Sequence, residues 1–224
     1  LTELPIEIIL IILQNLSTID ITRLRLVSKG LCTICDYPIH WKRLILRKPD
    51  QENGWEKNEA ALSLWELREL KEIIEPHLCF IESLYVWGVR DNIVQYLVLN
   101  CPTLKELTIY GWFTLSDHSL KVPEGKILSL QKLRLVSSPK SLSNFTSLDA
   151  STLGKFISQC PNLTDLLLVC QINFQADALL QSFSSKPSLS LESLVVTTKR
   201  CWSSHHVTRV FEYCPALSLL GLVP

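Results

Sequence analysis

The chain has 224 residues with 22 basic and 22 acidic side chains, so its net charge is zero and no excess positive charge advertises a nucleic-acid or anionic-membrane surface. Apolar residues make up 47% and charged residues 20%, a folded rather than disordered composition whose length allows one domain or two. Leucine occurs 42 times but glycine only seven, and the closest glycines, Gly111 and Gly125, lie 14 residues apart, which excludes GxGxxG and Walker-type phosphate loops and the enzymes built on them.

Leu4-Pro5-Ile6-Glu7-Ile8 sets a proline where the first turn of a helix tolerates it. Every residue from Ile8 to Leu13 is aliphatic, a run far short of the roughly 20 residues a membrane span needs and without the flanks of a signal peptide. A short helix that is apolar all round must be buried on more than one side. Ile21, Leu24, Leu26, Val27, Leu31, Ile34 and Trp41 offer it only a small core, and fewer than ~50 residues seldom sustain one alone. The segment therefore docks either on the rest of the chain or on a partner protein, and composition does not choose between them.

Charge then changes sign, from +3 over residues 1–48 to −5 over 49–77, with +2 over 78–224. The polar, turn-rich stretch from Arg47 to Gly54 reads as a surface linker. Leu62, Leu64, Trp65, Leu67, Leu70, Ile73 and Ile74 recur near helical spacing, which predicts one amphipathic helix ending before Pro76.

From residue 78 onward the sequence is periodic. Ile81-x-x-Leu84-x-Val86 aligns with Leu104-x-x-Leu107-x-Ile109, Leu130-x-x-Leu133-x-Leu135, Leu163-x-x-Leu166-x-Leu168, Leu191-x-x-Leu194-x-Val196 and Leu217-x-x-Leu220-x-Leu222. The central leucines are 23, 26, 33, 28 and 26 residues apart, the longest spacing implying an insertion around Ser137–Thr146. Each L-x-L is a period-two strand. Upstream, Val94, Leu97, Val98 and Cys101 form a helical stripe, as do Leu153, Phe156, Ile157 and Cys160, and Val207, Val210, Phe211 and Cys214. Each stripe ends in Cys-Pro, where a helix should stop. A strand plus a helix cannot bury both faces alone, so these units must stack.

Those units resemble cysteine-containing leucine-rich repeats over residues 78–224, about six strands, strongest at the Cys-Pro corners and weaker at Leu130 and Leu191. The resemblance implies an α/β solenoid with parallel strands on its concave face and helices on its convex face. The chain begins at Leu1 without any methionine and stops just after the last L-x-L, so it reads as a fragment with further repeats or a cap expected beyond it.

Leu4-Pro5-x-Glu7-Ile8, Ile12-Leu13-x-x-Leu16, Asp20, Leu24-Arg25-Leu26-Val27-Ser28-Lys29 and Trp41-Lys42-x-Leu44 resemble an F-box from end to end. Leu31 stands where many F-boxes carry tryptophan, a substitution expected to keep the packing. The resemblance implies three modules: a three-helix F-box at 1–46, a polar linker and amphipathic helix at 47–77, and the repeats at 78–224. It further implies a non-catalytic substrate receptor that bridges a Skp-type adaptor of a cullin-RING ubiquitin ligase to a protein target, or else a non-degradative scaffold with the same domain order. Carried over residue by residue, the adaptor contacts are Leu4, Pro5, Ile8, Ile12, Leu13, Leu16, Leu24, Val27 and Trp41.

Target binding is expected on the strand face left outside the core, at Tyr85, Trp87, Thr108, Tyr110, Arg134 and Leu167, where the aromatics and Arg134 are the residue types of binding hot spots. With only Lys132 and Arg134 basic on these columns, an apolar peptide suits the face better than a phosphate. The competing expectation is that the 61–77 helix or missing repeats cover it. No metal, cofactor, nucleic-acid or membrane partner is expected. Cys32-x-x-Cys35 lacks a second pair at metal spacing, Cys201 with His205 and His206 suits solvation or helix capping better than metal, and adjacent Ser116-Asp117-His118 side chains do not converge as a triad does. Cysteines set in apolar stripes are inert thiols, which suits a reducing cytoplasm or nucleus.

Overall fold

The computed structural model describes residues 4–47, 64–112, 114–137, 145–172, 176–185, 189–198 and 202–223. Three short helices open it: α1 (Ile6–Gln14), α2 (Thr18–Arg25) and α3 (Lys29–Cys35). Pro5 is the N-cap of α1, and serines start the other two, Ser17 accepting from the Asp20 amide at 3.1 Å and Ser28 from the Leu31 amide at 3.2 Å. Ile9 and Leu13 of α1 share one core with Ile21 and Cys35, and Leu31 is also buried.

The chain then does what the periodicity from residue 78 did not announce. After a 3-10 turn at Pro38–His40 it enters β1 (Arg43–Leu46), which pairs in parallel with β2 (Ser83–Val89), Leu44 opposite Leu84 and Leu46 opposite Val86. Trp41-x-x-Leu44-x-Leu46 is one more copy of the repeating pattern, with tryptophan in the first apolar place. The boundary expected between 46 and 47 therefore falls at the end of a sheet strand, and the polar stretch after Arg47 follows that strand instead of separating the helices from the sheet.

The helix expected from Leu62 starts later. Leu62 lies outside the described residues, and α4 is Leu67–Ile74, followed by a 3-10 turn at Glu75–His77. Trp65 precedes the helix, its amide donating to the Gly88 carbonyl at 3.0 Å and its side chain buried; Glu66 is extended as the N-cap, and the Glu69 carboxylate accepts from its amide at 3.2 Å. Leu70 and Ile74 enter the same core as Leu84 and Val86, and Lys71 reaches the Tyr96 ring on α5 (Asp91–Asn100) at 4.8 Å. The described part of the 61–77 segment thus lies in the helix layer, not over the opposite sheet face.

Beyond β2 the strands are β3 (Glu106–Trp112), β4 (Thr114–Ser116), β5 (Lys132–Val136), β6 (Phe145–Ser147), β7 (Asp165–Ile172), β8 (Ser193–Thr198) and β9 (Leu219–Val223). The main sheet is open and all parallel, in the order β1-β2-β3-β5-β7-β8-β9, with β4 and β6 making a second, two-stranded sheet. Its register is the one the leucine alignment implies: Leu84, Leu107, Leu133, Leu166, Leu194 and Leu220 lie opposite one another in succession. One backbone carbonyl before each strand accepts two amides of the next, Lys42 from Glu82 and Ser83, Glu82 from Lys105 and Glu106, and so on to Glu192.

Helices α5, α6 (Ala150–Ser158), α7 (Ala176–Ser185) and α8 (Ser204–Tyr213) cross between strands. Between β3 and β5 the place of a helix is taken by a 3-10 turn at Asp117–Leu120. Gly154 is required where α6 meets α7, since a Cβ there would lie 2.2 Å from the Ser182 Cβ. Each Cys-Pro corner works alike: the amides of Cys101, Cys160 and Cys214 close the helix, and their carbonyls accept from Leu104, Leu163 and Leu217 at 3.3, 3.1 and 3.0 Å. All three thiols are buried, and burial pushes Cys101 and Cys160 up to about 12. On α8 the stripe is incomplete, because Val210 is buried but Phe211 is exposed.

One core runs from Ile9 to Leu217. Maleimide under native conditions is therefore expected to label exposed Cys79 and to leave Cys101, Cys160 and Cys214 unmodified until the chain is denatured, read by mass spectrometry of peptides. Trp41→Ala removes a side chain only 1% exposed and is expected to lower stability by about 3–5 kcal/mol in urea unfolding, with helices and sheet still lost in one transition.

Candidate protein-interaction surfaces

The first surface is apolar and belongs to the N-terminal helices. α1 has a single charge, Glu7, and only one stripe of it can face α2 and α3. Ile9 and Leu13 take that place, which leaves Leu4, Ile6, Ile8, Ile11 (56% exposed), Ile12 and Leu16 in solvent. The α2–α3 turn adds Leu26 (85%) and Val27 (70%). Of the residues expected to contact an adaptor, Leu4, Pro5, Ile8, Ile12, Leu16 and Val27 are exposed, and Leu24 is half-buried against the core. Leu13 and Trp41 are not on the surface. Leu13 follows Ile9 by one turn and so points inward.

Trp41 is the centre of a buried junction. Its ring stacks on His77 with centroids 3.5 Å apart, its Nε1 donates to the Cys35 carbonyl at 2.8 Å, and the Arg25 guanidinium lies 5.7 Å from its centroid. Asp36 holds the polar side, with Oδ1 at 2.6 Å from Arg25 Nε and 3.6 Å from His77 Nε2. Burial pushes the His77 imidazole down to about 4; Arg25 adds to the fall and Asp36 opposes it. No local motif announced this contact, since His77 lies 36 residues from Trp41.

The second surface is the sheet face turned away from the helices. The register sets Tyr85, Thr108, Arg134 and Leu167 side by side, and Trp87 beside Tyr110, so all six residues expected to bind a target lie on one face. Trp87 and Tyr110 stack at 4.0 Å and 28°. A positive-φ glycine follows each, Gly88 at 70° and Gly111 at 69°, giving both strands the same turn after the ring. Tyr85 is half-buried, and desolvation raises its phenol.

The sequence reading missed what β1 adds: Arg43 and Ile45 stand opposite Ser83 and Tyr85, and the Arg47 guanidinium lies 5.1 Å from the Trp87 centroid. The signal was the Trp41-x-x-Leu44-x-Leu46 pattern. On the same face Glu106 accepts from Ser83 at 3.1 Å and pairs with Lys132 at 3.0 Å; the Lys132 ammonium, with desolvation opposing and Ser83 assisting, holds its carboxyl below the usual range. At the strands' leading edge Glu82 bridges Lys105 at 2.8 Å and Lys42 at 3.2 Å, and both ammoniums hold that carboxyl down as well.

The remaining chemistry-bearing residues do structural work. His206 accepts from the Ser203 amide at 3.2 Å in a capping box at the start of α8, and its Nε2 lies 3.2 Å from Asp177; Cys201 lies outside the described residues. Ser116 Oγ donates to Asp91 at 2.5 Å, and Asp117 accepts from the Asp149 amide at 2.7 Å, so neither turns to His118. Among the described residues no group of three His, Cys, Asp or Glu is placed to hold a metal, and no helix is long and apolar enough to cross a membrane.

Residues 1–43 match the family model of the F-box domain. No curated protein matches the chain. The match covers α1, α2 and α3 and ends on the first residue of β1, so the exposed aliphatic surface lies wholly within an F-box domain. F-box domains bind Skp-type adaptors of cullin-RING ligases.

The junction beside that domain carries a pH dependence. A buried histidine whose folded pKa sits below its unfolded value of 6.5 contributes its full stability above 6.5, and loses it as pH falls towards about 4. Urea unfolding from pH 7 to 4 is expected to show a loss of roughly 2–3 kcal/mol. His77→Phe, which keeps the stack on Trp41, is expected to flatten that part of the profile.

Proposed function

We propose that this chain is the target-recognition subunit of a Skp–cullin–F-box ubiquitin ligase. One observation carries the reading: the segment that matches an F-box presents Leu4, Ile8, Ile11, Ile12, Leu16 and Val27 to solvent, an apolar surface that the rest of the fold does not need. Covering side chains of this size stabilises a complex by up to about 1.5–3 kcal/mol each, which makes an adaptor the natural occupant. The stacked units beyond β1, which we read as leucine-rich repeats forming a solenoid, hold the target on the open strand face through Tyr85, Trp87, Thr108, Tyr110, Arg134 and Leu167.

The chain does no bond chemistry in this reading. It raises the effective concentration of a target lysine near a ubiquitin-loaded enzyme held elsewhere in the complex. The high thiol values of Cys101 and Cys160 support this, because a ubiquitin thioester needs an accessible thiolate. We assign it to the cytoplasm or nucleus, supported by the free thiols of Cys32, Cys35, Cys79, Cys101, Cys160 and Cys214.

Co-expression with a Skp-type adaptor tests the proposal. The chain is expected to purify as a one-to-one complex, and Ile8→Asp/Ile12→Asp to weaken it by on the order of a hundredfold or more with unchanged circular dichroism, because both side chains are already in water. A chain that is soluble alone and ignores the adaptor overturns it.

A further inference from the structure

The open strand face has two unlike halves. We propose that it takes an extended protein segment carrying acidic residues over β1–β5 and aliphatic residues over β7–β9. This rests on reading that face as the target surface.

Among the described residues of β1–β5, this half presents Arg43, Lys132 and Arg134 beside the Glu106 carboxylate, which Lys132 and Ser83 already occupy. Arg134 is exposed, and among the described residues no carboxylate is in ion-pair contact with it. Arg43 and Arg134 stand on β1 and β5, three strands apart and two residues out of register, and so roughly 16 Å from each other. Cations spread in this way suit separate carboxylates, each met by one guanidinium fork, better than a single phosphate on which they would have to converge. The Trp87–Tyr110 stack beneath Arg47 gives this half a flat apolar floor.

Over β7–β9 the face carries one charge, Asp165, at its leading edge, the hydroxyls of Ser193 and Thr197 on β8, and otherwise aliphatic side chains and Gly221. Val169, Leu219 and Val223 are 37, 53 and 47% exposed, and Leu167 and Val195 are half-buried. Gly221 leaves Val195 uncovered: a Cβ at that position would meet its methyls at 3.1 Å. Aliphatic side chains in water on a sheet face gain from being covered. Seven strands span roughly 29 Å, the reach of roughly nine residues of extended chain.

The test uses the full chain in complex with its Skp-type adaptor and fluorescence anisotropy of labelled peptides of about ten residues. The probe has three glutamates, a short Gly-Ser spacer and three leucines; comparison peptides replace the glutamates with lysines, the glutamates with a single phosphoserine, or the leucines with serines. The glutamate–leucine peptide is expected to bind tightest, by about tenfold over the lysine form, and more weakly as salt rises. Arg134→Glu and Val169→Asp, both at exposed positions, are each expected to cost it about tenfold while leaving the adaptor complex intact.

Equal binding of the lysine form, tighter binding of the phosphoserine form, or no binding of the probe at about 1 mM overturns the proposal while the adaptor role stands. If all four peptides bind equally and neither substitution moves them, the target face itself fails. If no adaptor complex forms, the assembly reading fails, and the same peptides measured on the chain alone still decide the ligand's chemistry.

Discussion

The pairing of β1 with β2 is the constraint on which the rest of the molecule depends. About forty residues of short helices cannot bury enough apolar surface to stand alone. Here they do not have to. Leu44 and Leu46 continue the columns that begin at Leu84 and Val86, and the Lys42 carbonyl accepts from Glu82 and Ser83 as every later unit does from the next. Strand β1 is an edge, and α2 packs beside it, so the helical segment also covers an end of the sheet that would otherwise be open to pairing. The Trp41–His77 stack ties the same junction to the turn after α4.

Both candidate surfaces follow from how this core is filled. A helix can turn only one stripe inward, and α1 spends Ile9 and Leu13 on it; its remaining isoleucines have no interior place left. A sheet with helices on one side likewise uses alternate residues for the core. Leu107 and Ile109 go inward, so Thr108 and Tyr110 must face away. The outward columns carry charges on β1, β3, β5 and β7 but none on β8 or β9, and the asymmetry of that face is a property of the sequence written along successive strands.

Much of this was legible without coordinates. A period-two pattern repeated at intervals near 26 residues fixes which side chains share a face, and the register matched the leucine alignment column by column. The Cys-Pro corners were equally readable, because a proline marks the stop and the buried cysteine marks the stripe. What escaped was long-range. Trp41 was expected both in the small N-terminal core and among the adaptor contacts; its partner His77 is brought close only by the crossover from β1 through α4. Leu64 and Trp65 carry helical spacing, but the bond from the Trp65 amide to Gly88 and burial of the indole keep them out of the helix. Strand β1 hid for a different reason: a tryptophan stood where the other units have an aliphatic residue, and a polar stretch after it suggested a boundary.

That polar stretch matters for how the two surfaces relate. Had it separated the helices from the sheet, each would orient independently, and a target held on one would sample a wide volume relative to an adaptor held on the other. Because β1 precedes it, the helices are already hydrogen-bonded into the sheet and share its core before the acidic stretch begins. Any partner gripping Ile8 and Ile12 on α1 therefore fixes the direction in which Tyr85, Trp87 and Arg134 face. Under the proposed function, such a fixed geometry would concentrate a bound target over a narrow region and favour only those target lysines that fall within it. Selectivity in such an assembly would come from the distance between binding segment and lysine on the target as much as from the contacts on the sheet.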